Sequence, residues 1–229
     1  MIILQKKLND MHNLINYINF DIKPLKTTQT IADAQDLFLE IPYSHFPVTE
    51  NNVYVGCLRK EDAEVLDKSI LISENKFDFE RFFVRDSMIW LDVLEEFAKN
   101  ECNIMPVLNA KNAYIGYYEL EDVIKFFQDS PFLKEEGGII VVQKPKSDYS
   151  ISQISQIVEG NGGKLLGLFI SNINDQLVEV TLKISQSYTN EILQGFRRYE
   201  YVIISEHQED SYLENLKERS DYLDKYLNI

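Results

Sequence analysis

The sequence is poor in the residues that usually announce chemistry. Among 229 residues there are two cysteines, three histidines and one tryptophan. Cys57 and Cys102 stand far apart in apolar surroundings, so they read as buried free thiols rather than a disulfide framework. His12, His45 and His207 are scattered, with no CxxC and no HExxH, which excludes the common zinc spacings. No GxSxG, no GxxxxGK[ST] and no GxGxxG occurs, so no catalytic residue is assigned. Gly162-Gly163-Lys164 lacks the upstream glycine and the following Ser or Thr of a phosphate loop and reads as a plain turn. His45 has no sequence neighbour that would make it a general base.

Basic residues are also scarce: 23 Lys and Arg stand against 37 Asp and Glu, a net charge of -14. Phosphate backbones and anionic membranes both require concentrated positive charge, so neither nucleic acid nor membrane is expected as a partner. No apolar run approaches the roughly 20 residues of a membrane span. The opening MIILQKKL has a three-residue apolar stretch before its lysines, which is not a signal peptide. A cytoplasmic location is the expectation, and Met11 is an alternative start to Met1.

What the chain does contain is a repeat. TIADAQDLFLEIPYSHFPV (30–48) falls on IWLDVLEEFAKNECNIMPV (89–107) at an offset of 59. Ala34 meets Val93, Phe38 meets Phe97, and Pro47-Val48 meets Pro106-Val107. Each copy has the period of an amphipathic helix followed by a short apolar strand. After one inserted residue in the second copy, NNVYVGCLRKEDAEVL falls on NAYIGYYELEDVIKFF. Gly56 then matches Gly116 and Asp62 matches Asp122, so both copies run helix, strand, turn, strand, helix.

On these residues (46–48 with 56–62, and 105–107 with 116–122) the segment 21–128 resembles a tandem pair of cystathionine-beta-synthase (CBS) domains, or Bateman module. The resemblance implies two pseudo-symmetric clefts for adenosine-containing ligands, of the AMP, ADP or ATP class or another adenosyl compound. The aspartates Asp62 and Asp122 would hold ribose hydroxyls through charge-assisted bonds. Phe46, Val48 and Tyr54, or Met105, Val107 and Tyr114, would line an apolar adenine slot. Where the family pattern has Thr or Ser, this chain has Arg59 and Glu119. Arg59 suits a phosphate, whereas a carboxylate at Glu119 repels one, so the first copy is the better phosphate site. The bland reading stands beside this one: the acids begin helices, where the dipole favours them, and the glycines serve close packing. Glu119, Glu121 and Asp122 also form an acidic cluster with the chemistry of a Mg2+ site, which keeps a nucleotide hydrolase as a remote alternative.

Between the copies lies a connector with Phe77, Phe79, Phe82 and Phe83, expected to pack against the repeats. Beyond Gly137-Gly138 the pattern becomes strand, helix, strand, strand, helix, strand over 138–205. That order resembles an ACT domain, a ferredoxin-like βαββαβ module that binds amino acids or pairs chains. In its loop, KPKSDYS (144–150), Asp148 is present, but Tyr149 or Ser150 stands where glycine is usual, which favours dimerisation over amino-acid binding. The tail places Tyr212, Leu213, Leu216, Leu223 and Leu227 at helical spacing.

The expectation is therefore an α+β chain. Residues 1–20 form a helical lead-in and 21–133 a CBS pair, with repeats at about 22–67 and 84–128. An ACT-like domain at 134–206 and a C-terminal amphipathic helix at 207–229 complete it. This arrangement is similar to that of bacterial acetoin-utilisation regulatory proteins. It implies a non-enzymatic, homodimeric regulator that binds a small nucleotide and acts on a partner protein. The alternatives are a ligand-free dimerisation module with degenerate clefts, and an amino-acid sensor acting through the ACT-like part.

Overall fold

The computed structural model of the protein describes residues 14–185 and 189–205. The expected C-terminal helix and most of the lead-in lie outside the described residues; Leu14–Tyr17 form one 3-10 turn. The chain divides into two compact units between Phe127 and Gln128, a few residues earlier than the sequence indicates.

The first unit is built twice from the same parts. In the first copy, β1 (Leu25–Lys26), α1 (Ile31–Glu40), β2 (His45–Glu50), β3 (Val53–Arg59) and α2 (Lys60–Val65) follow in order. In the second, β4 (Val84–Arg85), α3 (Trp90–Lys99), β5 (Ile104–Leu108), β6 (Tyr114–Glu119) and α4 (Leu120–Gln128) repeat it. Each copy forms a three-stranded sheet with one parallel and one antiparallel pair. Leu25 pairs with Val48, and Val84 with Val107, so the strand registers carry the sequence offset of 59. Both antiparallel ladders slip at the same place, after Val48 and after Val107.

The helices form on their apolar stripes. α1 buries Ile31, Ala34 and Phe38, and α3 buries Val93 and Phe97. Thr30 starts α1 with a capping box: its hydroxyl accepts from Asp33 N at 3.2 Å while Asp33 accepts from Thr30 N at 2.8 Å. Ile89, at the same place before α3, provides no such cap. The single inserted residue sits in the second hairpin. Glu50 pairs with Val53 across Asn51-Asn52, both at positive φ as a two-residue turn requires. The second hairpin is longer, closed by Asn109 Oδ1 accepting from Lys111 N and Ala113 N, with Asn112 left-handed.

The two glycines of the repeat admit crossing chain rather than empty space. Gly56 has φ +147° and Gly116 φ +137°. A Cβ on Gly56 would lie 2.7 Å from Phe79 Cβ, and one on Gly116 would lie 2.5 Å from the Asn19 carbonyl oxygen. The connector thus lies on the first copy, where Cys57 and Glu80 exchange backbone hydrogen bonds of 2.7 and 3.0 Å. The lead-in lies on the second copy, where Asn19 and Tyr117 do the same at 2.8 and 3.0 Å. Of the connector aromatics, Phe79 joins the core of the first copy and Phe82 that of the second, while Phe77 is exposed.

In the second unit, β7 (Gly137–Pro145), α6 (Ile151–Gly160), β8 (Leu165–Ile173), β9 (Leu177–Ser185), α7 (Thr189–Arg198) and β10 (Val202–Ile203) form an antiparallel sheet of order β10-β7-β9-β8. Ile140, Val142, Val180, Leu182 and Ile184 pack against Ile154, Val158, Ile192 and Phe196. The short helix α5 (Pro131–Lys134) belongs here: Phe132 sits over Gly167 and 5.9 Å from the Phe169 ring. In the loop after β7, Tyr149 packs on the core and Asp148 is exposed. Among the described residues, no helix is long and apolar enough to cross a membrane.

Candidate functional site

Each copy presents the end of its hairpin and the first turn of the following helix, which brings Arg59 and Asp62 to this end of the first copy and Glu119 and Asp122 to that of the second. The two clefts are furnished differently.

In the first, Asp62 is half-buried and makes no hydrogen bond or ion pair with another described residue. It lines a depression of about 400 Å³ with Leu58, Val65, Leu66, Asn75 and Asp78. The side-chain nitrogen of Asn75 is buried without a hydrogen-bond partner. Arg59 is not part of this wall. Its guanidinium is exposed, bonds to Glu61 and lies 3.8 Å from Glu80. α2 has only six residues, so its macrodipole is small and Arg59 gives it no side-chain cap.

Paired with Arg59 across β2 and β3 is buried His45. Its Nδ1 lies 2.8 Å from Ser44 Oγ and its Nε2 lies 3.1 Å from Glu80. Burial pulls the His45 pKa below its ordinary value, with the Glu80 carboxylate acting in the opposite direction. Ser44 and Asn103 occupy equivalent places in the two copies and bond to each other: Asn103 Oδ1 accepts from Ser44 N at 2.8 Å and from Ser44 Oγ at 3.1 Å. This is a polar seam joining the repeats.

In the second cleft the acids are already engaged. Glu119 accepts from the Tyr43 hydroxyl at 2.5 Å, across 76 residues of sequence. Asp122 accepts from the Asn19 side-chain amide at 2.9 Å and stands 3.8 Å from Lys125. Tyr117 donates to Asp21 at 2.5 Å, and its ring lies 5.9 Å from that of Tyr43. Burial and these carboxylate partners push the phenol pKa values of Tyr43 and Tyr117 well up, and Asp21 is held down by the Tyr117 hydroxyl. Glu121 pairs with Lys125 at 3.0 Å on the helix surface, so Glu119, Glu121 and Asp122 do not converge as a Mg2+ site. Among the described residues, no group of three or more His, Cys, Asp or Glu is placed to hold a metal.

The residues expected to form adenine slots lie elsewhere. Phe46 and Val48 are fully buried in the core of the first copy, and Met105 and Val107 in that of the second. Their alternation on strands covered by helices puts them under the sheet, where they offer no surface to a ligand. Tyr54 and Tyr114 meet each other instead, stacked at 6.4 Å; Tyr54 donates to the Phe82 carbonyl at 2.6 Å. Tyr54 also contacts buried Cys57, whose thiol pKa is pushed far up by burial; that of Cys102 rises to about 12 for the same reason. Both cysteines are free. Asn19, Asp21, Tyr43, Asn75, Asp78 and Glu80 were not visible as site residues, because each reaches its cleft through tertiary placement rather than through the repeated motif.

No family model matches the sequence, nor does any curated protein sequence. Comparison with solved structures finds CBS-domain pairs at low identity. The CBS domains of a transcriptional regulator from Streptococcus pneumoniae match at 23% identity and a TM-score of 0.44, over 49% of this chain and 97% of that one. A CBS domain pair/ACT domain protein from Thermotoga maritima matches at 18% and 0.46, over 50% and 95%. CBSX2 in complex with AMP matches at 18% and 0.41, over 50% and 94%. What this chain shows by itself is the duplicated strand register of its first unit and the unequal surroundings of Asp62 and Asp122.

Proposed function

We propose that the chain is a non-enzymatic regulatory module in which the first cleft takes an adenosine-containing ligand. The second cleft is filled by the protein's own side chains, and the second unit, with its βαββαβ order, acts as an ACT-like relay between chains of a homodimer and toward a partner protein. The observation that carries this reading is the contrast between equivalent aspartates. Asp62 is free beside an open depression, whereas Asp122 is held by Asn19 and Lys125. A free, half-buried carboxylate is suited to paired hydroxyls, and burying it without a partner is unfavourable until a ligand supplies one. In the second unit, Tyr149 packs on the core where a ligand loop would need backbone access, which favours a dimerisation role over amino-acid binding.

Thermal unfolding of the full chain with AMP, ADP, ATP, S-adenosylmethionine and a panel of amino acids tests the reading. Ligand at 100 times its Kd adds about 2.7 kcal/mol, a readily measured rise in Tm. Stabilisation by an adenosyl compound that disappears in Asp62→Ala supports it, and no response at millimolar concentration sinks it. A second reading, a ligand-free dimerisation module, draws on the burial of Phe46, Val48, Met105 and Val107 and on the neutralised Arg59. It predicts that no nucleotide shifts Tm.

A further inference from the structure

Whether a cleft accepts a nucleotide or its uncharged parent is decided by the charges around the ribose position, and in the first cleft these charges are negative. The wall of the depression contains two carboxylates, Asp62 and Asp78, and no basic residue. Neither carboxylate side chain has a hydrogen-bond or ion-pair partner among the described residues; Asp62 is half-buried and Asp78 is exposed at the edge of the depression. Three nearby cations are committed to acids, and a fourth, Arg81, lies against Gly56 and is not part of the wall. Arg59 bonds to Glu61 and faces Glu80, Lys60 lies 4.0 Å from Glu64, and Lys76 pairs with Glu50. The unpartnered side-chain nitrogen of Asn75 is buried and is a neutral donor, not a cation.

From this, and resting on the reading that the first cleft is the ligand site, we infer that it selects an adenosyl ligand that is uncharged or cationic and discriminates against phosphates. Asp62 holds the ribose hydroxyls, Leu58, Val65 and Leu66 provide the apolar wall, and Asp78 sets the charge preference. Like charges facing one another across a partly desolvated pocket repel, whereas a sulfonium or amine in the same place is attracted. Arg59 is not a phosphate clamp in this arrangement. It is neutralised by Glu61 and Glu80, and its release is what a change in selectivity would require.

Calorimetric titration of the full chain with adenosine, S-adenosylmethionine, AMP and ATP reads the selectivity directly. Adenosine and S-adenosylmethionine are expected to bind about tenfold or more tighter than AMP, with ATP weakest. Asp78→Asn removes one negative charge and Glu61→Gln removes the closer of the two acids on Arg59; each is expected to bring the AMP affinity toward that of adenosine. Tighter binding of AMP or ATP than of adenosine overturns the inference while leaving the adenosyl-ligand reading intact. An unchanged adenosine-to-AMP ratio in both variants overturns the role given to charge. Absence of binding by all four compounds removes the adenosyl-ligand reading and this inference with it.

Discussion

In the first repeat the acid of the strand-to-helix motif, Asp62, faces a depression with no partner, while in the second the same acid, Asp122, is bonded to Asn19. Around Asp62 lies Arg59, spent on Glu61 and Glu80, and around Asp122 lies Glu119, spent on Tyr43. Both copies have the same strands in the same register, so the backbone of the motif does not explain the difference. It comes from what crosses each copy: the connector brings Glu80 to the first, and the lead-in brings Asn19 and Asp21 to the second. A duplicated fold can thus leave one acid unpartnered and engage its counterpart while both copies keep the same strand register.

The largest effects should come from breaking these crossings. An alanine at Gly116 would suffer a left-handed backbone and a Cβ 2.5 Å from a backbone carbonyl, with a predicted loss of about 3 kcal/mol. At Gly56 the nearest atoms are Phe79 Cβ at 2.7 Å, fixed by its own backbone, and the Glu80 carbonyl oxygen at 3.1 Å, so Gly56→Ala should cost a similar amount. Denaturant unfolding of both variants measures the two costs, and a much smaller loss in either would show that the crossings are not equivalent.

Helix caps sharpen the comparison at a smaller scale. Thr30→Ala removes the capping box of α1 and should cost about 1 kcal/mol. The matching change in the second copy, Ile89→Thr, gives α3 a cap it lacks and should add a few tenths of a kcal/mol up to about 1. Chemical denaturation midpoints check both signs.

A weaker asymmetry concerns protons. His45 has no counterpart in the second copy, where Ile104 stands in its place. Burial lowers its pKa in the folded chain, so the unfolded chain takes up its proton at higher pH than the folded one. Stability should therefore fall as pH drops through about 6.5 and level off below the folded-state value. The His45→Gln variant should show a flatter profile across that window, measured as the difference from the parent chain. A parallel profile would mean that His45 carries none of the pH dependence.

Much of the architecture was legible in the sequence because it depends on local pattern. The offset of 59, set by Pro47-Val48 and Pro106-Val107, reappears as the strand register, and the inserted residue falls in the hairpin closed by Asn109. The alternation in 177–185 marks β9, with Val178, Val180 and Leu182 on the buried face. Less of the site was legible. Gly56 and Gly116 read as points of close approach, but only the fold shows that the approaching groups are Phe79 and Asn19. Glu119 stood out as an anomaly beside an expected phosphate, and its explanation is a hydroxyl 76 residues away. Phe46 and Met105 were placed in slots by the resemblance, and the fold instead buries both in the cores, a covering that the sequence of a short strand does not reveal. Partners brought in by tertiary crossing leave no periodic signature.

The central claim is that the two clefts are unequal and that Asp62 marks the open one. Calorimetric titration of the full chain with the tightest-binding adenosyl compound, alongside Asp62→Asn and Asp122→Asn, tests it most directly. The account predicts one ligand per chain, abolished by Asp62→Asn and retained by Asp122→Asn. Two ligands per chain, or loss of binding in Asp122→Asn with retention in Asp62→Asn, would contradict it.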